Sequence, residues 1–333
     1  MNKTGKPFTG SIMKRRAWLI FNPVAGRGNG ETDLSLIEQT LQEKYDLHVL
    51  LTGPEQEADA LAREALACGA EIVIASGGDG TLSAVAGAVA GSPAALGIIP
   101  RGTANSVALA LQLPQDLPSA CRVILQERTR RIDIARCNGQ PMILHAGIGY
   151  GARTIGSASR ESKNALGVLA YILSGLQQLQ DLEQFTVTLE TEEQLITCKA
   201  VAVTVANLAP PTSVLAQGPA AVQPEDGELD ITIIAASGLV EAVTTGYHLL
   251  WTALRDQPAQ RENVGFLRAR KVRIVADPPQ ELMVDGELVG TTPMEIECLA
   301  GALNVLIDTP QDGEQPAEQK LEGLPGLQVE LKE

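Results

Sequence analysis

Aromatic side chains are scarce, with Phe, Tyr and Trp together making up 3% of 333 residues. That scarcity excludes single-strand nucleic-acid binding by base stacking, which needs aromatic platforms. A formal net charge of −14 excludes a protein that wraps a polyanion, so no nucleic-acid partner is expected. Cysteine is sparse too. The five (Cys68, Cys121, Cys137, Cys198, Cys298) are odd in number, scattered and free of any CxxC. No disulfide framework or zinc site is expected, and reduced thiols point to a cytoplasmic protein. The three histidines, at 48, 145 and 248, have neither metal nor triad spacing. His48 lies in a strand pattern and His248 in a helix pattern; both read as structural. GxSxG and HExxH do not occur, which removes the common hydrolase readings. Long apolar runs are missing as well. Ala17–Phe21 is too short for a signal-peptide core. Thr81–Pro100 carries no charge, but Gly91-Ser92-Pro93 breaks it and its first half is rich in Ala and Gly, so it is no membrane span.

What is present supports a large, folded chain. Hydrophobic residues make up 44% and charged residues 20%, ample for a buried core. The length suggests two domains or one large one. Charge is unevenly placed. Residues 1–16 carry Lys3, Lys6, Lys14, Arg15 and Arg16 without an acid, whereas 310–333 carry six acids and two lysines among Pro, Gly and Gln. The first stretch reads as a flexible basic arm. It is either a plain leader or a contact for an anionic membrane surface, where each basic residue contributes about 1 kcal/mol. The second stretch reads as a disordered acidic tail, although Leu321–Leu331 keeps leucines that suit docking.

Between them the first half alternates β-type and helical patterns. Apolar strands at Ala17–Phe21, Leu47–Leu51, Glu71–Ala75 and Ala95–Ile99 are separated by runs with helical spacing, such as Ala58, Leu61, Ala62, Ala65 and Leu66. Three of these strands end in polar, glycine-containing turns. Asn22-Pro23-Val24-Ala25-Gly26-Arg27-Gly28 follows the first, Gly77-Gly78-Asp79-Gly80-Thr81 the third and Pro100-Arg101-Gly102-Thr103-Ala104-Asn105 the fourth. In a parallel α/β sheet, strand carboxyl ends share one edge, where ligands bind. Glycines let backbone N–H groups approach an anion, and the following helix N-termini add partial positive charge. The dinucleotide fingerprint GxGxxG fails at Glu31, and no Walker Gly-Lys-Ser/Thr follows either. Asp79, the one acid among the glycines, suits a metal-orienting or proton-accepting role.

Asn22-Pro23-x-x-Gly26, Gly77-Gly78-Asp79-Gly80-Thr81-Leu82 and Pro100-x-Gly102-Thr103-x-Asn105 together resemble the catalytic-domain signature of the diacylglycerol kinase family. The match is to its soluble bacterial lipid-kinase branch, which is similar to sphingosine and ceramide kinases. The resemblance implies an α/β N-terminal domain of the NAD kinase and phosphofructokinase type and a mostly antiparallel β-sandwich C-terminal domain. It implies an enzyme using ATP and Mg2+ on a lipid substrate, with transient contact at the membrane surface; a homodimer is left open. ATP phosphates would be held by Asn22, Pro23, Gly26 and Arg27 with Thr52 nearby, and by Gly77, Gly78, Asp79, Gly80 and Thr81. Gly102, Thr103 and Asn105 would line the cleft.

From about Phe185 the texture becomes strand-rich. β-type runs are expected at Phe185–Glu190, Leu195–Val205, Leu229–Ala235, Arg270–Val275, Glu281–Val284 and Met294–Glu297, with helices only at Ser162–Leu179 and Leu239–Leu254. Strands are also read at Arg131–Arg136 and Met142–Ala146. The resulting division places the nucleotide-binding domain at 17–135 and the β-sandwich domain at 136–299, with a segment near 300–309 returning to the first. Two acidic turns stand out. By the resemblance, Gln223, Asp226 and Glu228 form a structural Mg2+ site, whose oxygen ligands suit a hard cation; a plain hairpin turn fits the same residues. Met283-Val284-Asp285-Gly286-Glu287 is a hairpin signal, and the resemblance makes Asp285 the general base, with Glu287 as neighbour or substitute and Asp79 beside the phosphates. The chain departs from the family pattern at Ser83-Ala84, where Asn-Glu is usual, at Tyr150-Gly151-Ala152, where Phe-Asp-Ala is usual, and at Leu208–Thr212, where a glycine-rich loop is usual. Those departures keep a non-catalytic nucleotide- or lipid-binding relative as the alternative. An NAD kinase needs an Asn-Glu dipeptide that occurs nowhere here.

Overall fold

A computed structural model describes residues 14–26, 28–149, 184–210, 222–235, 263–308 and 318–332. The expected helices at Ser162–Leu179 and Leu239–Leu254, the Tyr150-Gly151-Ala152 departure and the candidate Arg27 lie outside the described residues. In chain order the first half comprises β1 (Arg15–Phe21), α1 (Gly30–Leu41), β2 (Tyr45–Leu51), α2 (Ala58–Ala67), β3 (Ile72–Gly77), α3 (Asp79–Val89), β4 (Ala95–Pro100), α4 (Ser106–Ala110) and α5 (Leu117–Gln126). Strands β2, β1, β3 and β4 lie side by side and parallel. Successive residues of a strand point to opposite faces, and β1 shows the consequence. Ala17, Leu19 and Phe21 join a core with Ile37 and Leu41 of α1 and Ile124 of α5. Trp18 and Ile20 join the opposite core with Leu61 of α2 and Leu82 and Val85 of α3. A sheet covered on both faces needs apolar residues at every strand position, which is why AWLIF and IVIAS do not alternate.

Local chemistry sets the helix starts. Asn29 caps α1 by accepting the Glu31 N–H, and Asp116 caps α5 by accepting the Ser119 N–H. Glu31 and Asp33 lie in the first turn of α1, where the helix dipole favours negative charge. α5 was not read from the sequence. Arg15 and Arg16, assigned to a flexible arm, open β1 instead, and Arg15 pairs with Glu71 and Glu127 at 3.0 and 3.1 Å.

The second half adds β5 (Thr129–Cys137), β6 (Gln140–Met142), β7 (His145–Gly149), β8 (Phe185–Thr191), β9 (Gln194–Ala200), β10 (Ala202–Ala206), β11 (Leu229–Ile234), β12 (Val264–Ala269), β13 (Lys271–Asp277), β14 (Glu281–Val284), β15 (Glu287–Thr291), β16 (Met294–Leu306) and β17 (Gln328–Leu331). Two sheets face each other as a β-sandwich. One runs β12-β11-β10-β7-β14-β15, all antiparallel. The other runs β17-β9-β8-β13-β16 and continues through β4 into the parallel sheet. Val187, Leu189, Ile196 and Cys198 of one sheet and Ile148, Val203, Ile231 and Leu267 of the other fill a shared core.

Leu195–Val205 is not one strand: the chain leaves one sheet after Ala200 and enters the other at Ala202, with fully buried Val203 and Val205 continuing the apolar run. Met142–Ala146 likewise splits between β6 and β7. Met294–Glu297 and the return segment form a single strand, β16, because a bulge between Leu299 and Leu303 absorbs the break suggested by Ala300-Gly301-Ala302. Within β16, residues 294–297 pair antiparallel to β13, residues on both sides of the bulge pair antiparallel to β5, and Asn304 and Val305 pair parallel to β4 on their other side. The tail is also ordered over residues 318–332. β17 adds to β9, Lys320 and Phe266 exchange backbone hydrogen bonds, and Leu321 and Leu324 are buried.

Candidate functional site

The carboxyl ends of β1, β3 and β4 bring the three glycine-containing loops together, and side chains lock them to one another. Asn22 N–H donates to the Ser76 carbonyl (2.9 Å), and its Nδ2 donates to Thr81 Oγ1 (3.0 Å). Its Oδ1 accepts the Val24 N–H at 3.1 Å, which turns the first loop tightly. A Cβ on Gly77 would stand 2.7 Å from Thr81, so only glycine lets that side chain fold back over the strand end. Gly102 faces Gly78: its Cβ would meet the Gly78 Cα at 2.6 Å and Asn105 Oδ1 at 2.8 Å. The second and third loops therefore touch backbone to backbone.

Gly78 caps α3 without a side chain, leaving the first amides of an eleven-residue helix without a side-chain acceptor. Asp79, the first residue of that helix, reaches across to the start of α4 just after the third loop, where its Oδ1 accepts the Val107 N–H at 3.1 Å. Burial pushes its carboxyl above the usual range, opposed by the nearby Val107, Ser106 and Asn105 amides. Asn105 holds a left-handed conformation at φ 52° and donates to Gln115 (3.1 Å). Gly80 and Thr103 stand on the open rim, and Thr52 closes the neighbouring β2 end through its N–H to the Phe21 carbonyl (2.9 Å).

One residue of this cluster was missed from the sequence. Arg101 lies between Pro100 and Gly102 and is the only charged residue between Asp79 and Asp116, a signal that could have singled it out. Its side chain is 3% exposed.

Asp285 sits in the two-residue turn between β14 and β15. It and Gly286 both have positive φ, 48° and 91°, as an Asp-Gly hairpin requires. Its carboxylate accepts three consecutive amides: Ile143 N–H on Oδ2 (2.9 Å), Leu144 N–H on Oδ1 (2.9 Å) and His145 N–H on Oδ1 (3.1 Å). Burial raises its pKa, and those amides and the Ser83 hydroxyl oppose the rise. Ser83 Oγ approaches Asp285 without a hydrogen bond of good geometry. Residues four apart share a helix face, so Ser83 places Asp285 about one turn along α3 from Asp79. Glu287 is exposed at the start of β15. His145 buries Nδ1 without a partner, and desolvation lowers its pKa to about 4, which keeps it neutral.

The acidic turn at 223–230 differs from its expected role. Asp226, Glu228 and Asp230 converge on one cation, Arg268: Asp226 is in direct contact, Glu228 lies at 3.2 Å and Asp230 at 3.5 Å. Among the described residues no cluster of His, Cys, Asp and Glu is arranged to hold a metal. A guanidinium occupies the centre of these carboxylates, so Gln223, Asp226 and Glu228 do not fit the expected Mg2+ site. Nearby, buried Asp133 accepts the Gly227 and Gly301 amides at 2.7 and 2.6 Å, tying this turn to the β16 bulge.

Comparisons with known proteins point in one direction. The diacylglycerol kinase catalytic domain family matches residues 16–137, and the YegS C-terminal NAD kinase beta sandwich-like domain family matches residues 145–307. An uncharacterized protein of Synechocystis sp. is 42% identical over 298 residues, covering 86% of this chain and 69% of the relative. A diacylglycerol kinase of Bacillus subtilis is 29% identical over 306 residues, covering 88% and 96%. A crystal structure of a diacylglycerol kinase from Bacillus anthracis aligns with a TM-score of 0.68 at 26% identity, over 88% of this chain and 97% of that one.

Proposed function

Because the chain belongs to the diacylglycerol kinase catalytic-domain family, we propose that it is an ATP- and Mg2+-dependent lipid kinase that phosphorylates a lipid hydroxyl such as that of diacylglycerol. The observation that carries this reading is the locked triple loop at one sheet edge, with Asn22 bonded to Thr81 and Gly78 in contact with Gly102 at the N-terminus of α3, which has no side-chain cap. Backbone amides at a helix start suit phosphate oxygens.

In the proposed reaction the lipid hydroxyl oxygen attacks the γ-phosphorus, a new O–P bond forms and the bond to the ADP oxygen breaks. Asp79 is the carboxylate that would face a magnesium ion carried with the nucleotide, and that ion would spread the charge on the phosphates. Asp285 accepts the hydroxyl proton. Its three amide anchors fix its position, and burial strengthens it as a base. Glu287 is the neighbouring substitute. Exposed Leu288 and Val289 follow in β15, an apolar surface beside this turn that suits transient contact with a lipid layer.

The direct test incubates the protein with labelled ATP, Mg2+ and separate diacylglycerol, sphingoid and phosphatidylglycerol acceptors. Label in one lipid supports the proposal; none in any lipid, with folded protein, contradicts it. For the base, Asp285→Asn is the more informative change, since its one oxygen can still accept the Leu144 and His145 amides, whereas Asp285→Ala strips the acceptor from all three amides. We expect it to slow transfer by about 10²–10⁴. The anchoring of Asp285 and the Ser83-Ala84 departure favour one second reading, a non-catalytic nucleotide-binding relative. Thermal stabilisation by ATP and Mg2+ without turnover on any lipid would support it.

A further inference from the structure

We propose that Arg101 is the positioning residue of the first glycine loop, holding residues 22–26 and 28–30 in the shape that receives the nucleotide phosphates; this rests on the kinase reading above. Its guanidinium is spent in three directions. Nη1 donates to the Asn22 carbonyl at 2.9 Å, and Nε donates to Asp33 Oδ2 at 3.0 Å, with Nη2 2.9 Å from the same oxygen. The plane lies over the Phe21 ring at 4.2 Å. One arginine thus binds the end of β1, the first residue of the loop and the first turn of α1 beyond it. The loop is clamped at both ends.

Two further observations show the loop fitted around this side chain. Gly26, at φ +94°, would place a Cβ 3.3 Å from the Arg101 carbonyl oxygen and 3.7 Å from Nη2. Gly30 would place one 2.8 Å from the Pro23 carbonyl and 3.8 Å from Nη2. Nη2 is buried, forms no hydrogen bond of good geometry, and faces these two glycines. The first loop therefore depends on the third for its shape, and the residue linking them stands between the proline and the glycine of Pro-Arg-Gly-Thr-Ala-Asn. A lysine keeps the charge but lacks the planar fork needed to bind Asn22 and Asp33 together.

The test compares wild type, Arg101→Lys and Arg101→Met by amide hydrogen exchange over residues 22–33 and by binding of a non-hydrolysable ATP analogue with Mg2+. Leu324→Ala, which destabilises the distant β-sandwich end, controls for a general loss of stability. In Arg101→Met we expect loop exchange to accelerate at least about tenfold and analogue affinity to fall at least about tenfold, roughly 1.4 kcal/mol. The KM for ATP should rise in step while kcat stays within about threefold, the pattern of lost ground-state binding. Arg101→Lys should recover thermal stability better than loop protection, and Leu324→Ala should leave the exchange of 22–33 unchanged. Unaltered exchange and affinity in folded Arg101→Met overturn the role of Arg101 and leave the kinase reading standing. Loop exchange that accelerates while wild type binds no nucleotide overturns the kinase reading and retains Arg101 as the clamp.

Discussion

Gly102 and Gly80 lie in neighbouring motifs and carry opposite constraints. A methyl group on Gly102 would strike the Gly78 backbone, whereas nothing lies within 4 Å of one on Gly80. Gly102→Ala is therefore expected to cost about 1–3 kcal/mol, because neither loop backbone can move without the other. Gly80→Ala should leave stability unchanged or raise it by up to about 1 kcal/mol, since alanine suits the helix start better than glycine. Chemical denaturation of the two variants checks the contrast, and equal losses would contradict it. His145 gives a residue-scale dependence on pH. Unfolded, its imidazole binds a proton near 6.5; folded, burial holds that back to about 4. Between those values the unfolded chain holds more protons, so the contribution is complete above pH 6.5 and is lost as pH falls towards 4. Wild type should lose about 2 kcal/mol more than His145→Gln between pH 7.5 and 5. Parallel curves for the two proteins would contradict this. At this scale the sequence made the loop glycines, Asn22, Thr81 and Asp79 legible, because fixed spacing at strand ends marks them. It hid Arg101, whose importance lies in partners 68 and 79 residues away.

Among the elements, β17 was the least legible. Gln328–Leu331 is four exposed residues in an acidic tail, and only pairing with β9 makes it a strand. What anchors it is upstream: Leu321 and Leu324 are buried, and the Leu324 side chain fills the space over Gly265 that a Cβ would occupy at 2.6 Å. The segment thereby links β12 of one sheet to β9 of the other. Leu324→Ala should cost about 2–5 kcal/mol, the usual range for emptying a buried leucine site. Thermal or urea unfolding measures it, and a loss below about 0.5 kcal/mol would mean the segment only rests on the surface. β16 and β10 show a second limit of sequence reading. Apolar patterning reports burial but not which sheet a strand joins, so the sheet change at Val201 and the bulge at Gly301 became visible only through their partners. The parallel strands were read well because burial on both faces leaves unbroken apolar runs bounded by turns.

At the scale of the whole molecule, two halves share one continuous sheet through β16, and Asp285 of the sandwich approaches Ser83 on the helix that begins at Asp79. That arrangement brings loops and hairpin to a common region, which motif spacing alone does not establish. The molecule also carries its own cation at the acidic turn. With Arg268 set among Asp226, Glu228 and Asp230, wild-type melting in the absence of nucleotide should be insensitive to a chelator. Arg268→Gln leaves three facing carboxylates without a counter-charge, so its melting temperature should fall and recover with millimolar Mg2+ or Ca2+. A wild type that melts earlier in chelator would contradict this reading. Transfer of phosphoryl groups to a lipid, as proposed for this chain, is read in a single assay. Wild type and Asp285→Asn are incubated with γ-labelled ATP, Mg2+ and diacylglycerol in mixed micelles, and label is counted in the lipid fraction. Mg2+-dependent label is expected with wild type, and a loss of about 10²–10⁴ in rate with the variant. Folded wild-type protein that binds ATP yet labels neither diacylglycerol nor the other lipid acceptors would contradict it.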